Sequence, residues 1–224
     1  MGLVRATVLA SLDASLLDAA SVFGEPNTEE RTAALSRHLD EAVRDFDRVL
    51  PLVVDDALTL MSDVRNYVAD PRARSFVDTP LIYENSARDL TDPYRVEVVP
   101  TPTLRVLSGM KTWAFTPTPT ASILFRLGSD YRFSFKKAHL LSDTEADSTV
   151  FEEDLPLLIT RAQIAALKEI SIRNLHKPVV LRDTMFSQTR NGTPAGLADV
   201  LMGQWEQQAR EASQRYGLGV GGGA

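Results

Sequence analysis

Apolar side chains recur at helical spacing toward both ends of the chain and at two-residue spacing between them. Over about residues 4–22, Leu9, Leu12, Leu16 and Ala20 fall on one side, which predicts a first helix. Gly24, Pro26 and Asn27 break it. Asn27, followed three residues later by Glu30, reads as a capped helix start: its side-chain oxygen can accept an orphan amide, and the acid favours the positive end of the dipole. The second helix, about 28–50, carries Leu35, Leu39, Val43, Phe46 and Leu50 and stops before Pro51.

From Leu52 to Val68 the pattern fits either helix or hairpin, and the alternation in Leu58-Thr59-Leu60 favours strand. Residues 69–93, rich in Asp, Arg, Pro and Thr, read as an irregular connector pinned by Phe76 and Tyr83. Strands are expected at Tyr94–Val99, Leu104–Leu107 and Tyr131–Phe135, and further ones at Trp113–Thr116 and Ile123–Leu127. Pro117 and Pro119 make the link between these last two rigid and unable to join a central ladder. The aromatic face of Tyr131, Phe133 and Phe135 is expected to pack on a third helix. That helix, about 155–176, has Asp154 as its cap and Pro156 in its first turn. Its Leu157, Leu158, Ala162, Ala165, Leu167, Ile170 and Ile172 lie around much of its circumference, so it should be central. Thr193-Pro194 opens a last helix, about 194–216, with Leu197, Leu201 and Trp205 forming an early stripe. Its polar second half, Glu206 to Arg215, is expected to leave the surface, and residues 217–224 form a flexible glycine-rich tail.

The fold class is therefore α+β: mainly a helical bundle with an inserted antiparallel β block at about 52–137 and a protruding C-terminal helix. Residues 1–216 are read as one domain.

Composition narrows the chemistry. With no cysteine among 224 residues there is no disulfide, thiolate nucleophile or cysteine metal site. No stretch of 18 or so uncharged apolar residues appears. Ala6 stands where a myristoylation signal wants Ser or Thr. A soluble protein made in the cytoplasm is expected. The net charge of −6 is uneven: residues 1–90 hold 9 Lys/Arg against 16 Asp/Glu, whereas residues 94–137 hold seven basic residues (Arg95, Arg105, Lys111, Arg126, Arg132, Lys136, Lys137) against Glu97 and Asp130.

No reaction constellation accompanies this layout. His38, His139 and His176 lie in different elements without zinc-site spacing. His38 fits an exposed helix face and His176 a helix end. Asp55 and Asp56, adjacent on a strand, point to opposite faces, and Glu152-Glu153-Asp154 suit a helix start rather than acid/base work. Asn191-Gly192-Thr193 reads as a turn into a cap, and Gly219–Gly223 lacks the flanking strand and lysine of a phosphate loop. The aromatic strand alternates with basic residues, which argues against a nucleic-acid stacking platform. No catalytic residue, metal ligand or cofactor is expected.

Several stretches resemble the head-to-tail adaptor (connector) proteins of tailed bacteriophages: Phe115-Thr116-Pro117-Thr118-Pro119, the Tyr131–Lys136 strand, Thr149-Val150 to Asp154, the alanine-rich Arg161–Arg173 helix, Arg190-Asn191-Gly192-Thr193-Pro194, and Trp205-Glu206-Gln207-Gln208-Ala209-Arg210. The resemblance spans most of residues 28–216. It implies a virion neck protein, assembled in the host cytoplasm into a ring, expected to be a dodecamer, beneath the portal protein. A downstream neck or tail protein is implied on the other side. Double-stranded DNA would pass through the channel without sequence-specific binding, and acidic walls would keep it from sticking. The partner surface is expected at Trp205, Arg210, Arg215, Tyr216, Gly217 and Leu218. The other readings are a tail-completion or baseplate structural protein and, of a different class, an enzyme or regulator.

Overall fold

The computed structural model describes residues 2–78, 99–174 and 193–215. In chain order its elements are α1 (Arg5–Leu16), a 3-10 turn (Leu17–Phe23), α2 (Glu29–Val49), β1 (Leu52–Thr59), β2 (Asn66–Val68), β3 (Ala73–Asp78), β4 (Thr101–Leu107), β5 (Met110–Thr116), α3 (Ala121–Leu127), β6 (Asp130–Lys137), two short 3-10 turns (Glu145–Asp147, Glu152–Asp154), α4 (Leu155–Asn174) and α5 (Pro194–Arg215). The protein is a mixture of helix and antiparallel sheet. It divides into two compact units: a helical unit of residues 1–50 and 139–224, and a β unit, Pro51–Ala138. The β unit matches the inserted block read from sequence, but it stands as a unit in its own right.

In the helical unit, α1 buries Val8, Leu12 and Leu16. Its α-helical geometry stops where Leu17 takes a left-handed φ of 49°, and the chain continues as a 3-10 turn that buries Ala20 and Phe23. Arg5–Phe23 is long and apolar enough to cross a membrane by length and composition. Its inward side chains belong instead to the core of this unit. The cap of α2 is one residue later than expected. Asn27 has φ 63° and serves to turn the chain, so the Thr28 hydroxyl accepts from the Arg31 amide at 3.4 Å. The buried stripe of α2 comprises Arg31, Leu35, His38, Leu39, Ala42 and Phe46. His38 is thus inside, contrary to the exposed face expected for it, because it lies three residues from Leu35 and four from Ala42.

Helix α4 touches α1, α2 and α5, and buries Leu157, Leu158, Ala162, Ile164, Ala165, Ala166, Leu167 and Ile170. It is the central helix of this unit, although Ile172, expected inside, is 63% exposed. Asp154 is buried directly before it. The segment leading to α4 is stitched to the first residues: the Leu3 amide donates to the Val150 carbonyl at 2.9 Å, the Arg5 amide to Ser142 at 2.8 Å, and Gly2 bridges Phe151. A Cβ on Gly2 would lie 2.4 Å from the Glu145 carbonyl oxygen, closer than atoms pack.

The β unit holds two three-stranded antiparallel sheets, ordered β1-β6-β3 and β2-β5-β4. β1 pairs with β6 from Leu52 opposite Lys137 to Thr59 opposite Asp130. Ser108 and Gly109, both at left-handed φ (51° and 80°), turn β4 into β5 with Leu107 opposite Met110, the pattern of a type I′ hairpin. Pro102 lies in β4, at the sheet edge, where a missing donor is tolerated. The aromatic face of β6 packs on β5, not on a helix: Trp113 meets Phe133 at 5.3 Å and Phe135 at 5.5 Å, and Phe115 meets Tyr131 at 5.1 Å, all close to edge-on. Tyr131 donates its hydroxyl to the Pro100 carbonyl at 2.9 Å, which lets a phenol sit inside.

Two further expectations fail here. The connector at 69–93 contains strand β3, whose Phe76 packs on this core. Ile123–Leu127, expected as strand, lies in helix α3, because the Thr120 hydroxyl accepts from the Ile123 amide at 3.4 Å and starts a helical turn after the prolines. Of the expected strand Tyr94–Val99 only Val99 lies within the described residues, and Tyr83 and His176 also fall outside them.

Replacing Phe133, 1% exposed, by Ala should cost about 3–5 kcal/mol in urea unfolding. Replacing Phe125, 87% exposed, should stay within about 0.5 kcal/mol.

Candidate functional site

The residues expected to meet a partner lie on and beyond α5. Its start is built as the sequence predicts: the Thr193 hydroxyl accepts from the Gly196 amide at 3.1 Å, and Pro194 takes the first helical position, where no donor is needed. Its packing differs from the expected Leu197, Leu201, Trp205 stripe. Leu197 is 45% and Val200 54% exposed, and the inward positions are Ala198, Ala209, Ala212 and Ser213, with Leu201, Met202 and Trp205 half-buried. The second half of α5 therefore does not leave the surface of the helical unit. Small side chains let its backbone approach the core, an inward face that a reading by hydrophobicity alone undercounts.

Trp205 is held against Arg161 of α4, whose guanidinium carbon lies 6.0 Å from the ring centre. Arg161 in turn donates from Nε to Asp45 at 2.7 Å and from a terminal nitrogen to Glu41 at 2.9 Å, both on α2. One arginine thereby ties α2, α4 and α5 together. Its other terminal nitrogen and the Oε1 of Gln208 are buried without a hydrogen-bond partner among the described residues. Arg210 is exposed and lies 3.8 Å from Glu206 one turn earlier, and Arg215 is exposed. Tyr216, Gly217 and Leu218 lie outside the described residues.

The carboxylates weighed as chemistry are separated. The Asp55 carboxylate accepts from the Ser134 hydroxyl across the strand pair at 2.5 Å, and Asp56 accepts from the amide of Ala57 at 2.8 Å. Glu152 and Glu153 are exposed in a 3-10 turn. His139 has Nε2 2.8 Å from the Leu50 carbonyl oxygen and Nδ1 3.1 Å from that of Thr149, so it braces the loop before α4. Among the described residues no group of three or more His, Cys, Asp or Glu is placed to hold a metal ion. A cavity of about 170 Å³ lies between α1 and α2, lined by Leu9, Ala10, Asp13, Asn27, Arg31, Thr32 and Leu35. Its charged groups neutralise each other, Arg31 donating from Nε to Asp13 at 2.7 Å.

Two surface features escape a reading by segments. The β4–β5 hairpin carries exposed Val106 (67%), Leu107 (41%) and Met110 (58%), and Val68 beside it on β2 is 72% exposed. Apolar residues flanking a Ser-Gly turn were the available signal. Charge also divides by unit: the helical unit holds 13 Lys/Arg against 20 Asp/Glu, net −7, and the β unit 11 against 10, net +1. Among models of protein families and among characterised proteins, none matches the chain.

Arg161→Ala should lower stability by about 1–2 kcal/mol, since it removes the bonds to Glu41 and Asp45 and uncovers Trp205, while Asp45 keeps Arg48 at 2.8 Å. Arg210→Ala should change it by less than about 0.5 kcal/mol. Urea melts followed by far-ultraviolet circular dichroism check both.

Proposed function

We propose that the protein is a structural head-to-tail adaptor of a tailed-phage neck, forming a ring beneath the portal, expected to be a dodecamer, that joins capsid to tail and encloses the DNA channel. The sequence resemblance to such adaptors is the observation that carries this reading. Support comes from the layout, a β unit inserted between the second and third long helices, and from the confinement of the net negative charge to the helical unit. In this reading the long helices are the adaptor's bundle, and their acidic surface lets double-stranded DNA slide past by repelling its phosphates. Arg210, Arg215 and the residues that follow, Tyr216, Gly217 and Leu218 included, reach the portal protein. Trp205, half-buried against Arg161, anchors the helix that presents them. The exposed β4–β5 hairpin faces the next neck or tail protein.

The purified chain should be a monomer or mixed oligomer by native mass spectrometry and become a closed ring when portal is added. A stable monomer indifferent to portal and to every neck protein would overturn the reading. A chain cut after Arg215 keeps Ala212 and Ser213, which are buried, and should therefore melt as the full chain does, yet fail to complement particle assembly. Normal complementation would remove the docking role from the tail.

A further inference from the structure

We propose that His38 makes the helical unit acid-sensitive, so that mild acidification lowers the stability of this unit and not that of the β unit, with the His38 imidazole as the group that takes up the proton. The geometry gives an imidazolium little water and no hydrogen-bonded partner at Nε2. The side chain is 5% exposed, and the Phe23 ring from the 3-10 turn lies against it at 5.4 Å. Nε2 is 3.2 Å from Oε2 of Glu169 on α4 but does not meet hydrogen-bond geometry with it.

Glu169 is already engaged on both oxygens. Arg37 of α2 holds Oε2 at 2.6 Å, and Arg173 of α4 holds Oε1 at 2.5 Å. Arg173 also lies 5.4 Å over the Phe23 ring and donates to the Val22 carbonyl. The charged groups facing His38 are thus Arg37 and Glu41 from its own helix and Glu169 and Arg173 from α4, two cations and two anions; the 3-10 turn contributes the uncharged Phe23. A proton on His38 adds a third cation to a balanced and partly dry cluster. It must compete with Arg37 for Oε2 of Glu169 or stay unpaired, and either weakens the packing of the turn, α2 and α4.

The sign of the pH effect follows. Burial, the largest influence, holds the His38 pKa below the ordinary 6.5; Glu169 opposes this and Arg37 adds to it. The unfolded chain therefore takes up the proton first, and stability is lost as pH falls below 6.5 toward the folded pKa. The Glu169 pKa also lies below its ordinary 4.5: burial opposes this, and the bonds from Arg37 and Arg173 outweigh it. Its contribution is lost only below 4.5, in a separate window. The β unit contains no histidine, because His38, His139 and His176 all belong to the helical unit.

The two tryptophans make the test direct: Trp113 is in the β core and Trp205 packs on the helical core. The full chain labelled with 5-fluorotryptophan is unfolded in urea at about pH 7 and about pH 5.5, and both fluorine resonances are followed. The midpoint reported by Trp205 should fall at the lower pH while that of Trp113 holds. His38→Gln should abolish the difference, His139→Gln should keep it, and Glu169→Gln should keep it too, since that change leaves His38 buried. Should His38→Gln fail to fold, imidazole ¹⁵N shifts of the unaltered protein decide: His38 should be more than half neutral at pH 6.5. Equal movement of both tryptophans, an acid response intact in His38→Gln, or a His38 that titrates at or above 6.5 would overturn the proposal.

Discussion

The helical unit depends on how closely other helices can approach α4. Ala162, Ala165 and Ala166 leave little side chain between that helix and its neighbours, so α1, α2 and α5 reach its backbone from different sides. Larger residues, Leu157, Leu158, Ile164, Leu167 and Ile170, fill the gaps between contacts. Such an interior is sensitive to added volume, since overpacking forces side chains off their rotamers at a cost of about 1–3 kcal/mol. Arg161, in the same helix, adds direction to this undirected packing: its guanidinium satisfies two carboxylates of α2 and covers Trp205 of α5.

The β unit is held by a different device. Five aromatic rings from β5 and β6, strands of different sheets, meet mostly edge to face. Polar groups at its margin are bound locally, Lys137 by Asp70 at 2.5 Å and Lys111 by the Ala73 carbonyl at 2.7 Å. The Lys137 partner holds the Asp70 carboxyl below its ordinary pKa against the opposing pull of burial. The basic residues of this block are thus partly spent on internal neighbours, and counting charges along the chain overstates the cationic surface they offer.

Long periodic segments were legible in the sequence. The stripe of α2, that of α4 except for Ile172, the alternation of Tyr131, Phe133 and Phe135, and the Thr193-Pro194 start stand where the pattern puts them. What escaped depended on competition between neighbouring signals. Thr28 and Asn27 both offer capping oxygens, and backbone conformation chose between them. Ile123–Leu127 reads as strand by composition, but a threonine after two prolines starts a helix there. β3 was hidden by the prolines flanking it, and His38 by the habit of placing a polar residue outside. The α5 surface was legible at Arg210 and Arg215 and misread at Leu197, because its inward face is made of alanines.

The division of charge bears on how the protein stays dispersed. At neutral pH the β unit, with 11 cationic and 10 anionic side chains, is near its own point of zero charge. It also carries strongly exposed apolar side chains, Phe125, Val68 and Val106 among the described residues. Nothing in its own electrostatics keeps two copies of that unit apart. Colloidal stability therefore comes from the helical unit, whose excess of seven acids supplies the repulsion for the whole chain. The residues that make one half acidic act as the solubilising group of the other, and salt, which screens that repulsion, acts first on the half that has none of its own.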